Sequence, residues 1–431
     1  MNHFDHRDGH LYAEDVAIAD IAAAVGTPFF CYSTATLRRH YSVLAEALAP
    51  VGARICYAIK ANSNIAVIRT LAERGAGADV VSAGEMQRAL IAGIEPADIV
   101  FSGVGKTEAE IAQALDAEIG QFNVESDSEL RLIAAMANAR GLNAPVVLRV
   151  NPDVDAETHH KISTGRKEDK FGIDIDAAPA LYAEAAALKG VRPVGIAVHI
   201  GSQLTSLAPF RAAFLRVRQL VEALRATGQK VERLDLGGGL GIPYIDEEPP
   251  APADYAAMVA ETVGDLDVEL TVEPGRLLVG NAGILVTRAI RTKQTETKRF
   301  VIVDAAMNDF LRPTLYDAVH RVTPERLPAP GTALSPAEIV GPVCETGDVL
   351  ASDAELPIIA DGDILAIESA GAYGAVMGST YNTRPLTAEI MVNGAEYCII
   401  RPRQDIDALI SLDRVPDWLE HSDAGSSRGA A

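Results

Sequence analysis

The chain is 431 residues long and 48% hydrophobic, enough for two domains with a sizeable core. Its 59 acidic residues outnumber 38 basic ones, giving a formal charge of −21 with no basic stripe. That balance argues against nucleic acid and anionic membrane surfaces as partners.

The polar start, Met1 to His10, lacks the apolar run of a secretory signal, and no later stretch is long and apolar enough to span a bilayer, so the reading is cytoplasmic. His3, His6 and His10 read as a loose terminal tail, and no metal site is expected. Cys31, Cys56, Cys344 and Cys398 form no Cys-x-x-Cys pair, which argues against a disulfide framework and a thiolate metal site. Leu11-Tyr12-Ala13, an Ala-rich helical stretch and Thr27 to Tyr32 come next, and they are expected to pack with the C-terminal half.

From residue 30 to about 280, short apolar runs alternate with helical patterns. The runs are Cys56 to Lys60, Ala78 to Ser82, Asp98 to Ser102, Gln121 to Glu125, Val146 to Asn151, Val194 to His199, Leu234 to Leu236 and Glu269 to Glu273. Ile65 to Ala72 follows the first with helix periodicity, and Ser128 reads as the cap of a helix after the fourth. Eight β-then-α units imply a parallel sheet closed into a (β/α)8 TIM-type barrel over residues 30–280.

After Gly280 the pattern becomes strand-rich: Ile284 to Ile290, Arg299 to Asp304, Leu356 to Ala360, Ile364 to Glu368, Ala388 to Val392 and Tyr397 to Arg401. Residues 1–29 and 281–421 are therefore read as a mostly antiparallel β domain. Residues 422–431, small and polar, are expected to be a disordered tail.

Barrels of this kind carry function at the C-terminal ends of their strands. Polar or glycine-rich groups stand at many of these ends: Lys60; Asp79 with Ser82 and Glu85; Arg149; His199 with Ser202; Gly237-Gly238-Gly239; and Glu273-Pro274-Gly275-Arg276. Lys60 closes a buried strand and precedes Ala-Asn-Ser-Asn, which is turn and cap chemistry. Burial there lowers a lysine's pKa and makes its amine a nucleophile towards a carbonyl.

Glycines at the seventh and eighth strand ends let backbone N–H groups approach an anion, which favours a phosphate. A phosphate site beside a nucleophilic lysine points to pyridoxal 5'-phosphate (PLP), whose aldehyde condenses with the lysine and whose ring accepts electrons. Glu273 can keep the ring nitrogen protonated, and His199 can stack on the ring face.

Five segments carry a family resemblance: Tyr-Ala-Ile-Lys-Ala-Asn at Lys60, Val-His-Ile-Gly-Ser-Gln at His199, Leu-Gly-Gly-Gly-Leu-Gly-Ile-Pro-Tyr at Gly237, Glu-Pro-Gly-Arg at Glu273 and Cys-Glu-Thr-Gly-Asp at Cys344. In order and spacing, from about Thr27 to Pro402, the chain resembles the fold-type III PLP-dependent decarboxylases. More selective are Thr164 to Gly172, Met307 to Tyr316, Gly371 to Gly374 and Tyr381 to Pro385, which lie outside the cofactor core that the decarboxylases share and bear on substrate choice.

The resemblance implies decarboxylation of meso-diaminopimelate to L-lysine, the last step of lysine biosynthesis by the diaminopimelate route. It implies Lys60 as the cofactor lysine and His199 as the ring stacker, with Asp79 also at the cofactor. Ser202, Gly238, Gly239, Gly275 and Arg276 would hold the phosphate, and Glu273 the ring nitrogen. Arg276, Arg312, Tyr316 and Glu345 would meet the substrate's remote amino-acid end, with Tyr373 beside cofactor and substrate. Cys344 would return the proton, its Cys344-Glu345 loop coming from the neighbouring subunit of an obligate homodimer. Thr346 departs mildly from the family's usual serine or alanine.

Other readings stay open. An ornithine, arginine or carboxynorspermidine decarboxylase would need an acidic residue in place of the Arg276 and Arg312 pair. A racemase would want a tyrosine base where Cys344 stands, and a cofactor-free aldolase would leave the glycine rim and Glu273 unexplained. A catalytically silent PLP-binding relative is opposed by Lys60, Glu273 and Cys344-Glu345 occurring together.

Overall fold

A computed structural model describes residues 2–155 and 170–420. Most of the Thr164 to Gly172 motif and all of the expected tail lie outside the described residues.

Eight parallel strands close a barrel: Arg54–Ala58, Gly77–Val80, Ile99–Phe101, Gln121–Val124, Ala144–Asn151, Val191–Val198, Arg233–Asp235 and Glu269–Val272. Closure is made where Thr271 of the last strand pairs with Arg54 of the first, and Val272 with Ile55. A two-residue strand, Ile173–Asp174, adds to the end of the fifth. Helices cover the strands outside and side chains fill the barrel inside.

Short polar side chains start the helices that return the chain. Asn64 Oδ1 accepts from the Ala66 N–H (3.0 Å) and Ser82 Oγ from the Glu85 N–H (3.2 Å), each satisfying a first-turn donor. The helix Asp127–Ala139 is capped by Ser126, whose Oγ accepts from the Glu129 N–H at 3.2 Å. Ser128, expected to be that cap, lies inside the first turn instead; Ser126 has the extended backbone that a cap requires.

The second unit is a mixed, mostly antiparallel sheet. Its strands run in the order Val349–Leu356, Ser335–Val340, Arg299–Val303, Gly283–Gln294, Phe29–Ser33, Ala388–Asn393 and Glu396–Arg401. Val322–Pro324 and Ile364–Ile367 branch from the long central strand Gly283–Gln294. Phe29–Ser33 pairs with it antiparallel and with Ala388–Asn393 in parallel, so the N-terminal segment packs with the C-terminal half as expected. Phe29 and Cys31 are fully buried with Ile284, Val286 and Ile390.

Two expectations about this unit change. The strand expected at Leu356 to Ala360 ends at Leu356: Pro357 cannot donate to a ladder, and Asp363 Oδ2 closes the following turn on the Ala360 N–H at 2.8 Å. The early histidines are not a loose tail. Phe4–Arg7 and His10–Ala13 form a hairpin, with His6 Nε2 bonded to the Pro324 carbonyl and His10 Nδ1 to Glu325 Oε1, each at 2.9 Å. His3 Nδ1 meets Thr36 Oγ1 at 2.9 Å, so the three rings have separate partners and do not converge.

Candidate active site

The first barrel strand ends at Ala58, and a single 3-10 turn, Ile59–Ala61, carries Lys60 to a cavity at the strand ends with about 580 Å³ of empty space. Lys60 Nζ donates to Asp79 Oδ2 at 2.6 Å. Burial lowers the lysine's pKa, as the sequence suggested, but the charges of Asp79 and Glu273 outweigh it and the net direction is upward. Lys60 therefore stands as an ammonium that must lose a proton before it can attack a carbonyl.

Behind the lysine the barrel interior is polar. Asn123 Nδ2, from the fourth strand, reaches Asp235 Oδ2 (3.4 Å) of the seventh and Glu273 Oε1 (3.3 Å) beyond the eighth. Gln121 Nε2 also reaches Asp235 Oδ2 at 3.3 Å, and the Gly237 N–H donates to Asp235 Oδ1 at 3.0 Å. These strands are not neighbours, so the bonds cross the barrel interior. Burial, then the charges of Asp235 and Asp79, push the Glu273 carboxyl well above the usual range. Asp235 is also raised, mainly by burial. Asp79 Oδ1 is buried with no hydrogen-bond partner among the described residues.

Glycine lets the loops of the seventh and eighth strands close on each other. A Cβ on Gly238 would lie 2.2 Å from the Glu273 carbonyl oxygen, and one on Gly239, at φ +121°, would lie 2.5 Å from that of Gly201. A Cβ on Gly275 would meet that of Ala61 at 3.0 Å, so backbone lines this rim of the cavity. The Gly238 N–H donates to His199 Nδ1 at 3.1 Å, which leaves the ring's proton on Nε2. Burial first, then Arg149 and Lys60, hold His199 well below its ordinary pKa, so it is neutral.

Arg276 and Arg312 are both buried at 5% exposure, and among the described residues neither pairs with a carboxylate. Arg276 Nη2 donates to Ser202 Oγ (3.1 Å) and its Nη1 to the Tyr244 hydroxyl. Its guanidinium stands 4.9 Å from the Tyr373 ring centroid, and that of Arg312 stands 5.0 Å from Tyr244 and 6.0 Å from Tyr316. Tyr373 holds a left-handed backbone at φ +54°, its N–H donating to the Ala61 carbonyl at 2.7 Å beside Lys60. Two buried cations with no counter-ion among the described residues make a site for an anion.

Lys60, Asp79, His199, Ser202, Gly238, Gly239, Glu273, Gly275, Arg276 and Tyr373 thus come together, with Arg312 and Tyr316 joined through Tyr244. Cys344 and Glu345 do not line this cavity; both are exposed, with the Cys344 N–H on Asn382 Oδ1 (3.0 Å) and Glu345 Oε2 accepting from the Tyr381 hydroxyl (3.4 Å). Sequence reasoning assigned no role to Asn123, Asp235, Tyr244 or His320. Asp235 could have been found from strand alternation, since an acid between two leucines on a barrel strand faces the opposite way from both.

The residues suit PLP on this structure's own terms: a lysine in the cavity, raised carboxyls that a ring N–H would satisfy, and a rim that admits backbone alone. Residues 34–280 match the family described as pyridoxal-dependent decarboxylase, pyridoxal binding domain. The chain is a PLP-dependent decarboxylase.

It is 48% identical to diaminopimelate decarboxylase of Vibrio cholerae over 96% of this chain and 99% of the relative. It is 50% identical to that of Pseudomonas aeruginosa over 95% and 98%. A crystal structure of diaminopimelate decarboxylase from M. jannaschii in complex with L-lysine superposes with a TM-score of 0.92 at 36% identity, over 96% of this chain and 98% of that one. The chain belongs to the diaminopimelate decarboxylase family.

Proposed function

We propose that this chain removes one carboxylate from meso-diaminopimelate to give L-lysine and carbon dioxide, working as a cytoplasmic homodimer. The observation that carries this reading is the buried Arg276 and Arg312 pair, which lacks a carboxylate partner among the described residues and adjoins the lysine cavity through Tyr244. A substrate with a second amino-acid end supplies the missing carboxylate; ornithine or arginine offers only a cation there.

The expected boundary at residue 30 falls inside the sheet strand Phe29–Ser33, so residues 34–280 form the cofactor-binding unit, and 1–33 with 281–420 the unit that completes the site between subunits. Lys60 would hold the cofactor at its aldehyde end, His199 would lie against the ring face, and Glu273 would meet the ring nitrogen. Ser202, Gly238, Gly239, Gly275 and Arg276 hold the phosphate. Bound PLP supplies the sink for the electron pair left when carbon dioxide departs.

The chain's own groups do the rest. Asp79 steadies the Lys60 ammonium until its proton leaves. Asn123, which donates to both Asp235 and Glu273, orients the Glu273 carboxyl. Neutral His199 brings no charge to the ring face. Arg276, Arg312, Tyr316 and Tyr373 fix the remote end, with Glu345 of the neighbouring subunit taking its ammonium. Cys344, from the same neighbour, gives the proton to the carbon that lost its carboxylate.

The test is product analysis of the PLP-loaded protein with meso-diaminopimelate, ornithine, arginine and L-lysine in parallel. Lysine and carbon dioxide from diaminopimelate alone are the expected result. Carbon dioxide from ornithine or arginine would overturn the substrate assignment, and no turnover with bound cofactor would overturn the activity.

A further inference from the structure

His320 lies outside the cavity, yet one of the two buried arginines leans on it. Its ring is 3% exposed, set edge-on against Tyr244 (4.9 Å between centroids) and Phe310 (4.7 Å). Nδ1 lies 2.9 Å from the Glu368 carbonyl oxygen, which can only accept, so Nδ1 carries the proton. Nε2 is then a lone pair, and it accepts from Arg312 Nε at 3.2 Å.

This bond decides how Arg312 can meet an anion. A guanidinium offers a carboxylate two forks, one using Nε with a terminal nitrogen and one using both terminal nitrogens. His320 occupies Nε, while no protein acceptor among the described residues meets the terminal pair. Tyr244 packs against both arginines and the His320 ring, so it links the three side chains.

We propose that His320 is a positioning residue that sets substrate specificity: by accepting from Arg312 Nε it presents the terminal nitrogen pair of Arg312 to the substrate's remote carboxylate. The inference rests on the reading of Arg312 given above. Burial, with Arg312 and Arg276 nearby, pushes the His320 pKa down to about 3, so the accepting lone pair persists across the working range of pH.

The test compares His320→Phe, His320→Gln and Arg312→Ala in the PLP-loaded protein. Glutamine can still accept from Arg312 Nε; phenylalanine cannot. For His320→Phe the KM for meso-diaminopimelate rises about 10- to 100-fold with kcat and cofactor absorbance unchanged, the loss of one hydrogen bond to a charged group. His320→Gln restores most of it. By calorimetry, His320→Phe weakens L-lysine, which keeps the remote carboxylate, and leaves cadaverine, which lacks it, unchanged.

Equal losses for lysine and cadaverine, or no change in KM while Arg312→Ala raises it, would overturn the role of His320. If Arg312→Ala leaves KM unchanged, the reading of Arg312 itself is wrong. Should neither histidine variant fold, nitrogen NMR of labelled histidine in the native protein decides: a proton on His320 Nε2 overturns the proposal, and one on Nδ1 alone supports it.

Discussion

Lys60 Nζ and Asp79 Oδ2 stand 2.6 Å apart across the ends of neighbouring barrel strands. The pairing fixes the state in which Lys60 waits: an ammonium, raised by Asp79 and Glu273 against the opposing pull of burial. Condensation with an aldehyde needs the free amine, so PLP uptake by the cofactor-free chain accelerates with rising pH until that ammonium titrates. In Asp79→Asn the lysine loses its nearest counter-charge, and the pH of half-maximal uptake falls by about one unit or more. Stopped-flow absorbance against pH measures it, and an unmoved profile would contradict the pairing.

Asp235 and Glu273 make the cofactor-free protein sensitive to pH. Both carboxyls are raised above their unfolded values, so between those values the folded chain holds more protons than the unfolded one. Stability is then fullest below the ordinary carboxylate range and falls as pH rises through the raised pKa values. Thermal midpoints of the cofactor-free protein decrease as pH rises above the ordinary carboxylate range, and Asp235→Asn flattens that slope. A slope of the opposite sign would contradict the raised carboxyls.

Gly238 tests the rim. An alanine Cβ would stand 2.2 Å from the Glu273 carbonyl oxygen, where backbone cannot give way without parting the two loops. Gly238→Ala is expected to cost about 2–4 kcal/mol of stability and to lose PLP in a titration. Retention of native cofactor affinity would show that the loops need not meet there.

Much of this was legible in the sequence, and for physical reasons. Lys60, His199 and Glu273 each follow a buried apolar run, and barrel topology sends all strand ends to one mouth. Arg312 and Tyr316 lie on a short helix outside the barrel, and only the motif resemblance marked them. The bond from Asn123 to Glu273 spans 150 residues and that from Arg276 to Tyr244 spans 32, so neither leaves a local pattern. Ser335–Val340 and Val349–Leu356 were missed because Pro, Ser, Asp and Glu interrupt their alternation. The direction of the Lys60 shift was misread because Asp79 lies 19 residues away in sequence but in contact in space.

Arg312→Lys keeps the charge and loses the planar fork. The KM for meso-diaminopimelate rises about 10- to 100-fold while PLP affinity holds. Steady-state kinetics beside a cofactor titration separates the two, and parallel losses would assign Arg312 a merely structural part.

Cys344 and Glu345 test the proposed partner subunit. Lys60→Ala and Cys344→Ala proteins are each inactive alone, and mixing them after mild dissociation should recover about a quarter of native activity, since half the dimers then carry one intact site of two. No recovery despite confirmed exchange of subunits would place Cys344 in the site of its own chain, or outside the site altogether.

The central claim is that the arginine-held end of diaminopimelate is left untouched while the other end loses its carboxylate. Turnover of meso-diaminopimelate in heavy water, with the lysine product read by mass spectrometry and NMR, tests this most directly. The account predicts a single carbon-bound deuterium, on the ε-carbon, with the α-hydrogen retained. Deuterium at the α-carbon would mean that the arginine-held end enters the reaction, and would contradict it.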